Sequence, residues 1–177
     1  WAAAAPSVRA AVLRDAANRL EDLRGDLTAT AVHEAGKTVA EADPEVSEAV
    51  DFARYYALAA EALEDDPDAT FEPDGVTLVT PPWNFPVAIP CGSVLAALAA
   101  GSAVVVKPSH VTPRCTQVAM SAVRDALEAA GFEADTVQVV LALEGEVGRA
   151  LVTHRDVARV ILTGSIDTAR TFAGWRP

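Results

Sequence analysis

Lysine is nearly missing from this chain of 177 residues. Lys37 and Lys107 are two of its 14 basic side chains, and the other twelve are arginines. Cysteine is equally sparse. Cys91 and Cys115 stand 24 positions apart in apolar surroundings, which gives neither a disulfide framework nor a zinc pattern. Two reduced, buried thiols in a cytoplasmic protein are expected instead. No purely apolar run reaches the roughly 18 residues that cross a membrane. The richest stretch, Val87 to Val106, is interrupted by Pro90, Gly92, Ser93, Gly101 and Ser102. Trp1 to Pro6 lacks the basic start and apolar core of a secretory signal. There is no initiator methionine and a helix begins almost at once, so both ends are expected to be cuts from a longer chain. A GxGxxG or Walker loop is absent as well, which removes the common nucleotide fingerprints.

Positive charge is scarce in the first half. Residues 1–74 carry 17 acidic and 6 basic side chains, whereas residues 75–177 carry eight of each. The overall net charge is −11. Phosphate backbones need a basic face, so nucleic acid is excluded as a partner. The acids are expected to form a solvated helical surface. Hydrophobic residues make up 51 % of the chain, enough for one domain with a core.

Periodicity supplies the elements. Ser7 is placed to cap a first helix. Val8, Val12, Ala16, Leu20, Leu23, Leu27 and Ala31 recur at spacings of three and four, and Gly36 ends the run. Asp43-Pro44 is expected to start a second helix, with Val46, Val50, Ala53, Tyr56, Ala60 and Leu63 on its apolar face. Residues 64–75 read as an acidic connection. From there strands alternate with helices: strands over 75–80, 102–107, 136–141 and 158–163, and helices over 89–100, 112–130, 145–153 and 165–173. The expected fold is therefore α/β. It is a Rossmann-like parallel sheet over 76–177 with helices on both faces, preceded by two N-terminal helices within 1–63.

Ligands of open parallel sheets gather beyond the carboxyl ends of strands. Those ends carry Pro81-Pro82-Trp83-Asn84-Phe85-Pro86, Lys107-Pro108-Ser109-His110, Glu144-Gly145-Glu146 and Gly164-Ser165. Lys107 follows three valines. It either snorkels to the surface or presents a cation to the hydroxyls or phosphate of a nucleotide. Ser165 is either a plain helix cap or the start of a helix that receives pyrophosphate. Asn84 is either a turn asparagine or an amide held by bulky neighbours for a developing oxyanion. The Trp83 indole either packs in a core or donates to a phosphate.

The segments PPWNFPVAIP, VVVKPSHVTP and VILTGS, in this order and spacing, resemble the aldehyde dehydrogenase superfamily. HEAGKT, EVSEAVDFARYYA and THRDVARVILTGS extend the resemblance over essentially the whole chain. FARYYA, GEVG, the DTAR that follows TGS and the GWRP ending look most like the L-glutamate γ-semialdehyde dehydrogenases of proline breakdown. Within that branch the ending resembles the bacterial form joined to a flavin-dependent proline dehydrogenase. The resemblance implies that Asn84 helps hold the thiohemiacetal oxyanion and that Trp83 lies near the pyrophosphate. It further implies that Thr80, Pro81 and Pro82 run along the cofactor and that Lys107 meets the adenosine ribose, with Ser109 and His110 beside it. Gly164 and Ser165 would approach the phosphates, and Gly145 the adenosine half. The implied cofactor is NAD, with NADP as the alternative. His110 stands where many relatives carry a ribose-binding glutamate, and Ala142 stands where many carry glycine. The implied partners are a small aldehyde substrate, further copies in a homo-oligomer and a linked proline dehydrogenase domain. The family's nucleophilic cysteine and general base have no counterpart here, so the chain alone is expected to be inactive. Another aldehyde substrate, such as succinate semialdehyde, and a non-catalytic cofactor-binding module are the competing expectations.

Overall fold

Residues 1–63, 68, 70–143 and 145–176 are described by the computed structural model. Proline sets the first boundary. Pro6 occupies the first turn of α1 (Pro6–Asp22), where a missing N–H is harmless. Ser7 therefore lies inside the helix instead of capping it; Ala5 takes the cap position and no side chain bonds there. Nor does the helix run on to Gly36. It stops at Asp22, and α2 (Arg24–Ala35) follows after Leu23, so two helices share the apolar stripe. Gly25, a poor helix former, adjoins the break. Arg24 pins it, donating to Glu21 at 3.0 Å, Asp43 at 2.8 Å and Ser47 at 3.1 Å. With the break in place both helices can lie against α3 and α5. The two expected N-terminal helices are thus three.

Helix α3 (Val39–Ala62) starts earlier than the Asp43-Pro44 expectation. Its start is set by Thr38 and Glu41, whose carboxylate accepts from the Thr38 amide and hydroxyl, each at 2.9 Å. Pro44 then falls in the second turn and leaves the Ala40 carbonyl without an amide partner. Both residues are exposed, so water can take that place.

The remainder alternates as expected: β1 (Val76–Thr80), α4 (Ala88–Ala99), β2 (Ala103–Val106), α5 (Pro113–Ala129), β3 (Val137–Val139), α6 (Glu146–Thr153), β4 (Val157–Leu162) and α7 (Ile166–Trp175). Thr136, expected in the third strand, belongs to a 3-10 turn over Ala134–Thr136, and the strand itself is shorter than expected. Within the acidic connection, residues 64–67 and 69 lie outside the described residues, as do Glu144 and Pro177.

The four strands form one parallel sheet in the order β3-β2-β1-β4. Alternation along each strand builds two apolar layers. Val79, Val104, Val106 and Val137 join the large core beneath α4 and α5, and α1–α3 pack on those helices in turn. Leu78, Val105 and Val160 face the other way, toward Leu151, Val152, Phe172 and Trp175 of α6 and α7. Helices therefore cover both faces. Leu13, Leu20, Leu95, Leu98 and Leu127 are fully buried, each worth about 1.5–3 kcal/mol. Among the described residues, no helix is long and apolar enough to cross a membrane.

Candidate functional site

The strand order defines a switch point. From β1 the chain crosses to β2 and β3 on one side, then returns to place β4 on the other. Loops leaving β1 and β4 consequently diverge to opposite faces of the sheet, and a crevice opens between them. Polar contacts tie its floor together: the Thr80 hydroxyl donates to the Ile161 carbonyl at 3.2 Å, and the Thr163 amide to the Thr80 carbonyl at 3.3 Å. A cleft of about 950 Å³ occupies this crevice.

Of the residues singled out from sequence, Thr80, Pro81, Pro82, Trp83 and Asn84 line the cleft from the end of β1. Lys107 and Ser109 enter from the end of β2, Gly145 from the start of α6, and Gly164 and Ser165 from the end of β4. His110 is exposed and is not among the lining residues. Trp83 is 53 % exposed, which removes the alternative of a core tryptophan. Ser165 does cap α7: its hydroxyl oxygen accepts from the Thr168 amide at 3.1 Å. The Lys107 stem runs toward α6, where a Cβ placed on Gly148 would stand 4.0 Å from its Cε. Gly145 opens α6 at φ 100°, a conformation that favours glycine.

The sequence reading missed one wall. Thr168, Thr171, Phe172 and Trp175 of α7 line the cleft at helical spacing, and the Phe172 and Trp175 rings stack at 5.5 Å. That spacing was legible, but the helix was expected to end at Ala173. Asp167 lines the cleft too, so Lys107 and Asp167 are its charged residues among those described. Arg176 holds α7 in place by donating to the carbonyls of Val152 at 3.1 Å, Val157 at 2.6 Å and Ala158 at 2.9 Å.

The thiols take no part. Cys91 and Cys115 are buried and unpaired, and neither lines the cleft. Burial, with the Glu45 charge adding to it, pushes the Cys91 thiol up to about 12. Burial likewise raises Cys115, helped by hydrogen bonding to Glu34. Neither ionises readily enough to act as a nucleophile. Among the described residues, no cluster of three or more histidine, cysteine or acidic side chains is arranged to hold a metal.

The model of the aldehyde dehydrogenase family matches residues 1–174, and the chain belongs to that family. It is 40 % identical over 169 residues to the bifunctional protein PutA of Klebsiella aerogenes, covering 96 % of this chain and 12 % of that protein. It is 36 % identical over 175 residues to 1-pyrroline-5-carboxylate dehydrogenase 2 of Bacillus subtilis, covering 93 % and 33 %. The solved structure of proline utilization A from Corynebacterium freiburgense superposes with a TM-score of 0.89 at 50 % identity, covering 96 % of this chain and 17 % of that one. The chain thus spans between about an eighth and a third of the curated relatives it matches.

Proposed function

We propose that the chain forms the dinucleotide-binding part of an aldehyde dehydrogenase that oxidises L-glutamate γ-semialdehyde to glutamate in proline catabolism. One observation carries the binding role. Segments 80–84, 107–109 and 163–165, far apart in sequence, meet at one switch-point cleft large enough for a dinucleotide. The donors in that cleft suit such a ligand. Lys107 offers a cation to ribose hydroxyls or phosphate, and the Trp83 indole a single N–H. Apart from the Thr168 amide that Ser165 fills, the first-turn amides of α7 offer donors and a partial positive charge to pyrophosphate. Pro81 and Pro82 present a stiff backbone along the same wall. A bound nicotinamide would supply the hydride acceptor.

The substrate assignment rests on the similarity to PutA and 1-pyrroline-5-carboxylate dehydrogenase. Asn84, carried between Trp83 and Phe85, is the residue assigned to oxyanion stabilisation. The 177 residues alone are proposed to bind and orient without oxidising, because both thiols are buried away from the cleft. NAD is the proposed cofactor and NADP its competitor, since Lys107 is the cation available to a 2′-phosphate. A small aldehyde is the proposed substrate, and the assembly is a homo-oligomer. A linked proline dehydrogenase domain is proposed by analogy with the bifunctional relatives. The reduced thiols favour a cytoplasmic setting.

Titration calorimetry with NAD and NADP, on the unaltered chain and on Lys107→Ala, tests the binding role. Saturable binding that weakens about tenfold or more in the variant is the expected result, equivalent to about 1.4 kcal/mol. Absence of binding by the unaltered chain would overturn the assignment.

A further inference from the structure

The loop that carries Asn84 is held from outside the cleft by a buried ion pair. Glu45 of α3 has a side chain 1 % exposed. A carboxylate is costly to bury unless its acceptors are filled. Here one oxygen accepts from the amides of Val87 at 2.7 Å and Ala88 at 3.1 Å, and the other pairs with the Lys37 ammonium. Helix α4 has no side-chain cap of its own, so Glu45 acts as a cap borrowed from 42 positions away. Lys37, in the turn between α2 and α3, does more than neutralise Glu45. Its ammonium also stands 4.1 Å from the centroid of the Phe85 ring. On the other side of the loop the Thr112 hydroxyl donates to the Trp83 carbonyl at 3.4 Å, and the Thr116 hydroxyl to the Pro86 carbonyl at 3.3 Å. Asn84 is exposed and sits between two residues that are each fixed from a different direction.

We propose that Lys37 and Glu45 are positioning residues for Asn84, setting the direction in which its side-chain amide enters the cleft. A plain helix cap would need only the Glu45–amide bonds. The Lys37–Phe85 contact extends the restraint past the helix start to the residue next to Asn84. The proposal rests on the oxyanion role given to Asn84 above, yet its physical content is independent of cofactor binding.

The test is NMR of the 177-residue chain and of Lys37→Met, Lys37→Arg and Glu45→Gln. The side-chain NH2 of Asn84 is followed, with that of Asn18 as an internal control. In Lys37→Met the Asn84 amide becomes mobile while Asn18 does not change, and Lys37→Arg restores the rigid signal. In Glu45→Gln the exchange of the Val87 and Ala88 amides quickens about tenfold, the effect of losing about 1.4 kcal/mol of protection. Should Glu45→Gln fail to fold, the two Lys37 variants decide alone. Faster exchange at Val87 and Ala88 with Asn84 still rigid would reduce the pair to a cap and overturn the proposal, as would no change at all. NAD titration of the same samples separates the two claims: a chain that binds no dinucleotide defeats the function assigned above, while the Asn84 signal still decides the positioning role.

Discussion

Glu34→Gln probes the second place where an N-terminal helix holds a cleft loop. The Glu34 carboxylate, near the end of α2, accepts from the Arg114 amide at 2.8 Å and the Cys115 amide at 2.7 Å. These are first-turn donors of α5, and Thr112 at its cap position makes no side-chain cap bond. A glutamine keeps one carbonyl oxygen but turns an NH2 toward the second N–H. One charge-assisted bond is lost and one donor is left to water, since Glu34 is only half-buried. A loss of about 1–2 kcal/mol follows. For a chain of this size that lowers Tm by about 2–8 °C, measurable by circular dichroism. A second readout is chemical. The Cys115 thiol is raised first by burial, then by hydrogen bonding to Glu34 and by its charge. Glu34→Gln removes the last two causes, so Cys115 should react faster with a thiol reagent. Cys91 serves as control, because Glu34 is not among the causes of its shift. An unchanged Tm, or a Cys115 rate that does not rise, would refute the argument.

Two glycines separate backbone strain from crowding. Gly101 and Gly131 follow α4 and α5 at φ 89° and 82°. A Cβ on Gly131 meets nothing within 4 Å, whereas one on Gly101 comes within 2.9 Å of the Pro73 ring. By chemical denaturation Gly131→Ala should cost about 1–2 kcal/mol from strain alone, and Gly101→Ala distinctly more; equal losses would show the Pro73 contact to be immaterial. The raised Cys91 thiol gives an alkaline signature. Its folded value of about 12 lies above the ordinary 9.0 that the unfolded chain recovers. The folded form then keeps a proton that the unfolded form releases, so stability is intact below about pH 9 and falls as pH rises toward 12. The loss is on the order of 1 kcal/mol at pH 10. Cys91→Ala should flatten the slope of Tm against pH in that range, and an identical slope would count against this account.

Every strand was legible because each carries a short run rich in β-branched residues, bounded in β1 and β2 by a preceding glycine at 75 or 101. SAVVVK is the clearest case, and the structure places β2 at Ala103–Val106 within it. The polar strand ends were legible in the same way, whereas the switch point rests on the sheet order β3-β2-β1-β4, which the order of elements along the chain does not contain. Local competition was harder to read. The stripe from Val8 to Ala31 continues through Leu23, so periodicity alone could not show the break that Arg24 holds with partners on α3. The acids misled most. Their number pointed to a solvated surface, yet Glu45 is among the buried charged residues and Glu34 is half-buried. What distinguishes them is an unfilled amide pair 42 or 80 positions away, which no local pattern contains.

Those two carboxylates fill the helix starts that follow β1 and β2. In the common dinucleotide fold, the first helix after the first strand receives the phosphate directly at its N-terminus. Here residues 81–87 intervene between β1 and α4, and the first amides of α4 are already occupied by Glu45. The amides of α5 are occupied by Glu34 in the same manner. An anion approaching either helix start would meet a negative charge already seated there. The cleft itself is lined by Gly145 and Ser165 at the starts of α6 and α7, with Asp167 in the first turn of α7, and by Ile89 at the start of α4. Between β1 and α4, Pro81 and Pro82 stiffen the backbone while Glu45 holds the far end of the loop at Val87 and Ala88.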